Sequence, residues 1–289
     1  MVAPLTKFSH KLASKTKWGA ILLRSGVICY LGALVLAPLI LLTLKGFSLS
    51  WSDWKTLLSE PRLMASLKLS FATAAIAAAI NTVFGFMVAF VLCRYDFFGR
   101  RFLDALVDLP FALPTAVAGI SLTAIFAAEG VLGRPLLAMG IKVAFTPLGI
   151  TVALIFIGMP FVVRTLQPVL MDFDPCLIEA ARALGASRFQ IVWRIILPEL
   201  TPAMISGFAL ALSRGLGEYG SVVFISGNMP MRTEVASFLI VTKLEQYDYA
   251  GATAIALIML GFSFLLLVCL HSLMWQYRRR HGQTVQEVT

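Results

Sequence analysis

The chain has 289 residues, of which 59% are hydrophobic and only 13% are charged. With a mean hydropathy of +0.86, this composition excludes a soluble globular protein and indicates one that sits in a lipid bilayer. Lysine and arginine number 24 against 15 acidic residues, and we assign this excess to loops beside an anionic membrane surface rather than to nucleic-acid binding. The four cysteines and three histidines lack metal-ligand spacing, so no metal site is expected.

Six apolar stretches are long enough to cross a hydrocarbon core of about 30 Å, which takes about 20 helical residues. They lie at 25–44, 69–92, 109–128, 148–170, 203–225 and 252–275. The sequence therefore predicts an all-α polytopic membrane protein, with a membrane domain at 25–275 between tails at 1–24 and 276–289. The first stretch is longer than the apolar core of a signal peptide, so we expect a retained helix.

The distribution of basic residues predicts the orientation of these spans. An even number of spans places both termini on one side of the membrane. Fifteen Lys and Arg residues then lie on the side of the termini and of segment 164–200, and eight lie on the other. Because cytoplasmic loops are enriched in Lys and Arg, we expect both termini and this segment in the cytoplasm.

Four prolines fall inside the predicted spans, at positions 38, 110, 114 and 160. Proline removes a backbone donor and clashes with the preceding turn, so each predicts a kink or an unwound turn. Such interruptions suit a helix bundle around a path, but they also occur in purely structural helices. The prolines leave both interpretations open.

The segment after the fourth span predicts a pair of short cytoplasmic helices. Asp174 is a suitable N-cap, and Gly185 can adopt the left-handed conformation that ends a helix. Ser187 and Gln190 have the capping-box spacing that begins a second helix, which Pro198 limits. On the first helix an apolar stripe at helical spacing needs a surface to bury it, which is the membrane, the protein's own bundle or a partner protein. The stripe consists of Leu177, Ile178, Ala181 and Leu184.

This segment resembles the EAA motif of permease subunits of ATP-binding-cassette importers, through Glu179-Ala180-Ala181, Gly185 and Ile196-Leu197-Pro198. The resemblance implies a type I importer permease fold with a coupling helix that binds a separate ATPase subunit. The residues implied in that contact are Glu179, Ala180, Ala181, Leu184 and Gly185. The chain itself has no G-x-x-x-x-G-K-[ST] loop to hold a nucleotide phosphate. We therefore expect a non-catalytic subunit without a cofactor, whose partner binds ATP and Mg.

The fifth predicted span carries a charge near its middle. Arg214 lies about 16 Å along a helix that enters the membrane near Ala203, so it needs a partner or water at that depth. Glu218, four residues later, can pair with it. Together with Tyr219 and Ser221, the pair either lines or gates a path for an anion or only holds helices together. The sequence leaves these two roles open.

A second resemblance concerns the substrate. Leu216-Gly217-Glu218-Tyr219-Gly220, the stretch that continues to Pro230, and Leu109-Pro-Phe-Ala-Leu-Pro114 are similar to the oxyanion group of importer permeases, above all the sulfate/thiosulfate type. This resemblance implies a bacterial-type inner membrane protein that moves sulfate or thiosulfate by alternating access. A molybdate permease and, less compatible with the EAA motif, an ion-coupled secondary transporter are the alternatives.

The same resemblance implies a set of partners. They are a second, CysW-like permease subunit, two copies of a CysA-like ATPase subunit and an external sulfate/thiosulfate-binding protein. We expect the loop at 227–250 to face that binding protein. Its polar residues include Asn228, Glu234, Glu245 and Asp248.

Overall fold

The computed structural model describes the backbone of residues 23–47 and 49–286, and side chains as far as Gln276 together with that of Arg279. Most of the predicted N-terminal tail lies outside these residues. All regular secondary structure in the described ranges is helical, as the sequence predicts. The chain divides into two compact units, residues 1–54 and residues 55–289.

The first unit contains helix α1 (Leu23–Phe47), which matches the first predicted span. No residue in the most apolar 18-residue stretch of α1 is buried within the protein. A π-helical turn at Gly32–Leu36 lies just before Pro38. Because a π turn widens the helix, it accommodates the proline without ending α1. Helix α2 (Trp51–Leu58) begins at the end of this unit, and Trp54 donates a hydrogen bond to the Gly46 carbonyl at 3.3 Å.

Eleven further helices follow among the described residues of the second unit. They are α3 (Pro61–Arg94), α4 (Arg100–Val107), α5 (Leu109–Ala112), α6 (Thr115–Phe126), α7 (Gly133–Ala138), α8 (Pro147–Met171), α9 (Pro175–Ala183), α10 (Arg188–Leu216), α11 (Val222–Ile225), α12 (Ala236–Glu245) and α13 (Tyr249–Gln286). Helices α3, α8 and α9 each begin with proline, which suits the first turn because its missing N–H has no intrahelical partner there.

Helices α3, α8 and α10 pack against one another and form the core. Small residues let them approach closely: a Cβ on Gly85 of α3 would overlap Val162 of α8, and a Cβ on Gly207 of α10 would press on the same valine. Close packing of this kind drives helix association in lipid, where apolar burial gives no advantage. A second, smaller cluster joins one end of α3 to α12 and α13. Its buried members are Leu63, Leu67, Ala236, Leu239, Ile255 and Met259.

Five helices in the described residues are long and apolar enough to cross a membrane, namely α1, α3, α8, α10 and the 249–276 part of α13. The third predicted span, 109–128, is not one helix. Its α5 and α6 parts are separated by extended backbone at Leu113 and Pro114. The 12 residues of α6 rise about 18 Å, less than the hydrocarbon core. The break at Pro114 agrees with the unwound turn expected there.

The fifth predicted span, 203–225, is also wrong in its bounds. Helix α10 begins at Arg188 and ends at Leu216, so it continues through Pro198 instead of stopping there. A π-helical segment, Val192–Ile196, ends two residues before this proline. The widened turn removes the clash between the proline ring and the preceding carbonyl. The glycine-rich stretch after Leu216 leaves the helix.

Candidate functional site

The predicted pair of helices, here called the hairpin (residues 174–198), is present with the expected caps. It consists of α9 and the first turns of α10. The Asp174 carboxylate accepts a hydrogen bond from the Cys176 amide at 2.9 Å and begins α9. Gly185 has a φ of +80°, the left-handed conformation in which glycine is unstrained. Ser187 and Gln190 form a complete capping box at the start of α10. Local interactions therefore fix the ends of α9 and the start of α10.

The hairpin divides its apolar stripe between two surfaces. Ile178 and Ala181 pack against the core of the protein's own bundle. Leu177 is exposed, and Leu184 is 88% exposed. Glu179 and Ala180 are exposed beside them, so they remain available to a partner. Part of the stripe is therefore buried within the chain, and the rest remains exposed.

Further exposed apolar side chains, not predicted from the sequence, lie on α10. Phe189 and Trp193 are both exposed, and their ring centroids lie 5.7 Å apart. Four residues separate them, so they share one face of the helix, a pattern visible in the sequence once α10 is known to begin at Arg188. The hairpin thus carries four exposed apolar side chains that its own bundle leaves uncovered, namely Leu177, Leu184, Phe189 and Trp193.

Arg214 and Glu218 form the predicted ion pair, with Nη1 and Oε2 2.6 Å apart. They are not on one helical face, because α10 ends at Leu216 and Glu218 lies beyond it. The Glu218 side chain is 2% exposed, whereas that of Arg214 is 34% exposed. Arg214 also lies in the last turn of α10, where a cation interacts favourably with the helix dipole. The pair therefore joins a buried carboxylate to an accessible guanidinium.

Glu218 is held by a second donor group. Its Oε1 accepts hydrogen bonds from the Ser221 backbone amide at 3.0 Å and from the Ser221 hydroxyl at 3.1 Å. The Glu218 carbonyl accepts a hydrogen bond from Ser237 of α12 at 2.8 Å, and the Tyr219 ring stacks on Phe238 of the same helix. The four residues predicted from the sequence therefore do form one cluster.

Helix α6 packs tightly against this cluster. A Cβ on Gly119 would overlap the backbone of Ser221. Glycine is therefore the residue that permits this approach. The close contact fixes the position of the Ser221 amide that binds Glu218.

A second charged network, not predicted from the sequence, connects α4 and α5 to α8. Arg164 donates to Asp104 at 2.7 Å and to Asp108 at 2.5 and 2.8 Å. Gln167 donates to Asp104 at 3.0 Å. This hydrogen bond from Gln167, with the nearby Arg164 guanidinium, lowers the pKa of Asp104 below its usual value. No local spacing indicates these contacts, because 56 residues separate Arg164 from Asp108.

The loop expected to face a binding protein is partly buried. Glu234 has a side-chain exposure of 1% and forms an ion pair with Arg62. Asn228 bonds within the loop, to Ser226 and to the Val223 carbonyl. The prediction that Glu234 belongs to an external contact surface is therefore wrong, because its carboxylate is committed to an internal pair.

The hairpin and the Arg214 cluster lie at opposite ends of α10. Twenty-six residues separate Arg188 from Arg214, a rise of about 39 Å. The structure therefore contains two separate candidate sites joined by one continuous helix.

The chain thus combines a helical bundle core, an exposed hairpin and a buried charge cluster in a membrane protein. Residues 81–280 match the family described as binding-protein-dependent transport system inner membrane component, and the chain belongs to this family. It is therefore a non-catalytic inner membrane subunit of an ATP-binding-cassette importer, in which the ATPase is a separate subunit and a binding protein delivers the cargo.

Relatives with similarity over most of the chain narrow this class. The sulfate transport system permease protein CysT of Escherichia coli K12 is 45% identical over 247 residues, which are 86% of this chain and 89% of that protein. The CysT protein of Synechococcus elongatus is 44% identical over 250 residues, 86% of this chain and 90% of its own. A probable CysT of Nephroselmis olivacea is 47% identical over 244 residues, 84% of this chain and 86% of its own.

Solved structures agree on the fold. A chain of a bacterial transporter that imports alginate has a TM-score of 0.75 at 16% identity, covering 91% of this chain and 96% of its own. A chain of the MetNI methionine transporter in an inward-facing conformation has a TM-score of 0.59 at 18% identity, covering 76% of this chain and 99% of its own. The importer permease fold expected from the sequence is thus confirmed.

Proposed function

We propose that this chain is one of two permease subunits of an ATP-driven importer of sulfate or thiosulfate. The observation that carries the proposal is the 45% identity to a sulfate transport permease across 86% of the chain. The complex would contain a CysW-like second permease, two copies of a CysA-like ATPase and an external sulfate/thiosulfate-binding protein. Both termini and the hairpin would lie in the cytoplasm, in accord with the distribution of Lys and Arg.

The test of this function is uptake in cells that lack only this subunit. Radiolabelled sulfate, thiosulfate and molybdate are offered separately, with and without the gene restored. We expect restored uptake of sulfate or thiosulfate and unchanged uptake of molybdate. Restoration of molybdate uptake alone would assign the chain to the other oxyanion class.

The hairpin is proposed to bind the ATPase through its exposed face. Glu179, Ala180 and Leu184 are exposed there, and Gly185 sets the turn that presents them. Large apolar side chains surrounding a charge are typical of a well-packed protein contact. ATP binding would draw the two hairpins of the complex together and so open the bundle outward.

Glu179→Lys tests this contact, because charge reversal on an exposed residue leaves the bundle intact while opposing a cationic partner. We expect the permease to insert into the membrane, but the ATPase should no longer co-purify with it and transport should be lost. The matched control is Glu199→Lys, which reverses an exposed carboxylate on α10 outside the hairpin face. Equal effects of the two substitutions would contradict the assignment.

The Arg214 cluster is proposed to line or gate the anion path. Both oxygens of Glu218 are engaged, because one binds Arg214 and the other accepts from Ser221. Arg214 has five N–H donors, is partly exposed, and pairs with Glu218 alone among the described residues. It can therefore offer donors and positive potential to a passing oxyanion. Tyr219 and Ser221 are proposed to shape the same place.

A further inference from the structure

A cleft between the hairpin and the end of α3 lies beside the proposed ATPase contact and shares Glu179 with it. It has a volume of about 430 Å³, within the range of about 300 to 1,000 Å³ that is typical of small-ligand sites. Its walls come from the last turn of α3, from α9 and from the first turns of α10. Three arginines line it, Arg94, Arg182 and Arg188, together with one acid, Glu179.

None of the three guanidinium groups forms a hydrogen bond or an ion pair with a described residue. Arg94 is the most constrained of them, because its guanidinium lies 5.5 Å from the centre of the buried Phe173 ring. Its Nε and Nη2 atoms are buried and have no hydrogen-bond partner. A buried donor without a partner is costly and uncommon in native proteins. The cleft is therefore lined by three guanidinium groups without partners, and the most buried of them carries unsatisfied donors.

The neighbouring cleft between α3, α4 and α8 provides a contrast. It has about 620 Å³ and also contains arginines and aspartates. There, however, Arg100 pairs with Asp96 and Asp104 accepts from Gln167. Its charges are largely compensated within the chain, whereas those of the Arg94 cleft are not.

We propose that the Arg94 cleft binds a tetrahedral oxyanion, which Arg94, Arg182 and Arg188 coordinate from three helices. Forked guanidinium groups match the oxygens of sulfate and phosphate in geometry as well as in charge. An anion in this position ties α9 and the start of α10 to the end of α3. It therefore fixes the hairpin relative to its own bundle. A free ion and the phosphate of an anionic lipid present the same chemistry, and the experiment distinguishes them.

The test measures binding of radiolabelled inorganic phosphate to the assembled transporter in phosphatidylcholine nanodiscs, without nucleotide or binding protein. Phosphate is the probe so that the result does not depend on which ion the protein transports. We expect saturable binding that sulfate displaces. Arg94→Gln and Arg188→Gln should each raise the Kd at least about tenfold, because each removes a charge-assisted contact. Arg188 is exposed, so its substitution tests the site even where Arg94→Gln lowers assembly.

Two further variants locate the binding. Arg194→Gln removes an exposed charge from the same helix outside the cleft, and its Kd should stay within about twofold of wild type. Arg214→Met removes the charge proposed for the transport path, and phosphate binding to the cleft should persist. Loss of binding in Arg214→Met with retention in Arg94→Gln would overturn the proposal while supporting the path.

Nanodiscs with phosphatidylglycerol distinguish the source of the phosphate. If a lipid occupies the cleft, free phosphate no longer binds, and native mass spectrometry detects a retained phosphatidylglycerol that Arg94→Gln and Arg188→Gln lose. Either source supports an oxyanion site. Absence of both signals in wild type, or equal signals in wild type and in these two variants, would refute it.

Discussion

Arg62 and Glu234 form a two-armed ion pair although 172 residues separate them in the chain. Nε and Nη2 of the arginine each lie 2.7 Å from a different carboxylate oxygen. Arg62 lies in the first turn of α3, and Glu234 lies just before α12. The pair therefore joins the start of the longest core helix to the loop that follows the Glu218 cluster.

The two partners of this pair differ in exposure, which predicts unequal costs of removal. Glu234 is 1% exposed, whereas Arg62 is 28% exposed and can extend to water. Arg62→Met strands a buried carboxylate and should destabilise the complex by about 3 to 5 kcal/mol. Glu234→Gln should cost clearly less, and the double variant should recover much of the loss. Thermal unfolding of the purified complex measures this order, and equal costs would contradict it.

Gly185 gives a prediction with an internal control. A Cβ there meets no atom within 4 Å, so only its φ of +80° opposes substitution. Gly140 has the same φ and equally open surroundings but lies far from the hairpin in sequence. Each Gly→Val change should cost on the order of 1–2 kcal/mol in backbone strain.

Only Gly185→Val should abolish ATPase-coupled transport, because only it misdirects the hairpin. Gly185→Asn should retain part of the activity, since asparagine tolerates the left-handed region. Uptake and ATPase assays on the assembled complex provide the measurement. A transport defect in Gly140→Val as severe as that in Gly185→Val would show that strain alone is responsible.

The orientation is testable with topology reporters. Fusions after Arg101, Ser187 and Arg280 should report a cytoplasmic location, because basic residues concentrate in these segments. Fusions in the loops at 129–146 and 227–233 should report an external one. A cytoplasmic signal from the second loop would invert the proposed direction of transport.

Asp104 gives a prediction for pH dependence. Hydrogen bonds from Gln167 and Arg164 lower its pKa, so its carboxylate stabilises the fold at every pH above its unfolded pKa of about 3.9. This contribution is lost only as the pH falls below about 4, through the lower folded pKa. The stability difference between wild type and Asp104→Asn should therefore stay constant from about pH 7 to 5 and disappear at lower pH. A difference that already declines near pH 6 would contradict the assignment.

The features that the sequence predicted correctly are those that depend on interactions between neighbouring residues. Asp174, Gly185 and Ser187 act through neighbours only a few residues away, and the hairpin they predict is confirmed. Pro114 correctly indicated an unwound turn within the third apolar stretch. Hydropathy alone nevertheless predicted one continuous span across that turn, because it measures composition and not backbone geometry.

Other features depended on distant parts of the chain and were missed. Pro198 did not end α10, because the π turn before it and the surrounding core kept the helix intact. The partners Asp108 and Arg164, and likewise Arg62 and Glu234, come together only when their helices pack. Nothing in the local spacing of these residues indicated their partners.

The last prediction separates a substrate path from a structural support at the end of α10. If Arg214 and Glu218 only stabilise the fold, removing either leaves an unpaired charge, and the double variant Arg214→Met with Glu218→Gln should recover both assembly and transport.

We expect a different result, because Ser221 still holds the side chain at position 218 through its amide and hydroxyl. The double variant should assemble at close to normal yield yet transport sulfate poorly, since the accessible guanidinium is gone. Arg214→Lys should retain part of the uptake, because the charge survives while the forked donor geometry does not. Complex yield measured beside sulfate uptake for all four variants decides between the two roles, and normal transport by the double variant would exclude Arg214 from the path.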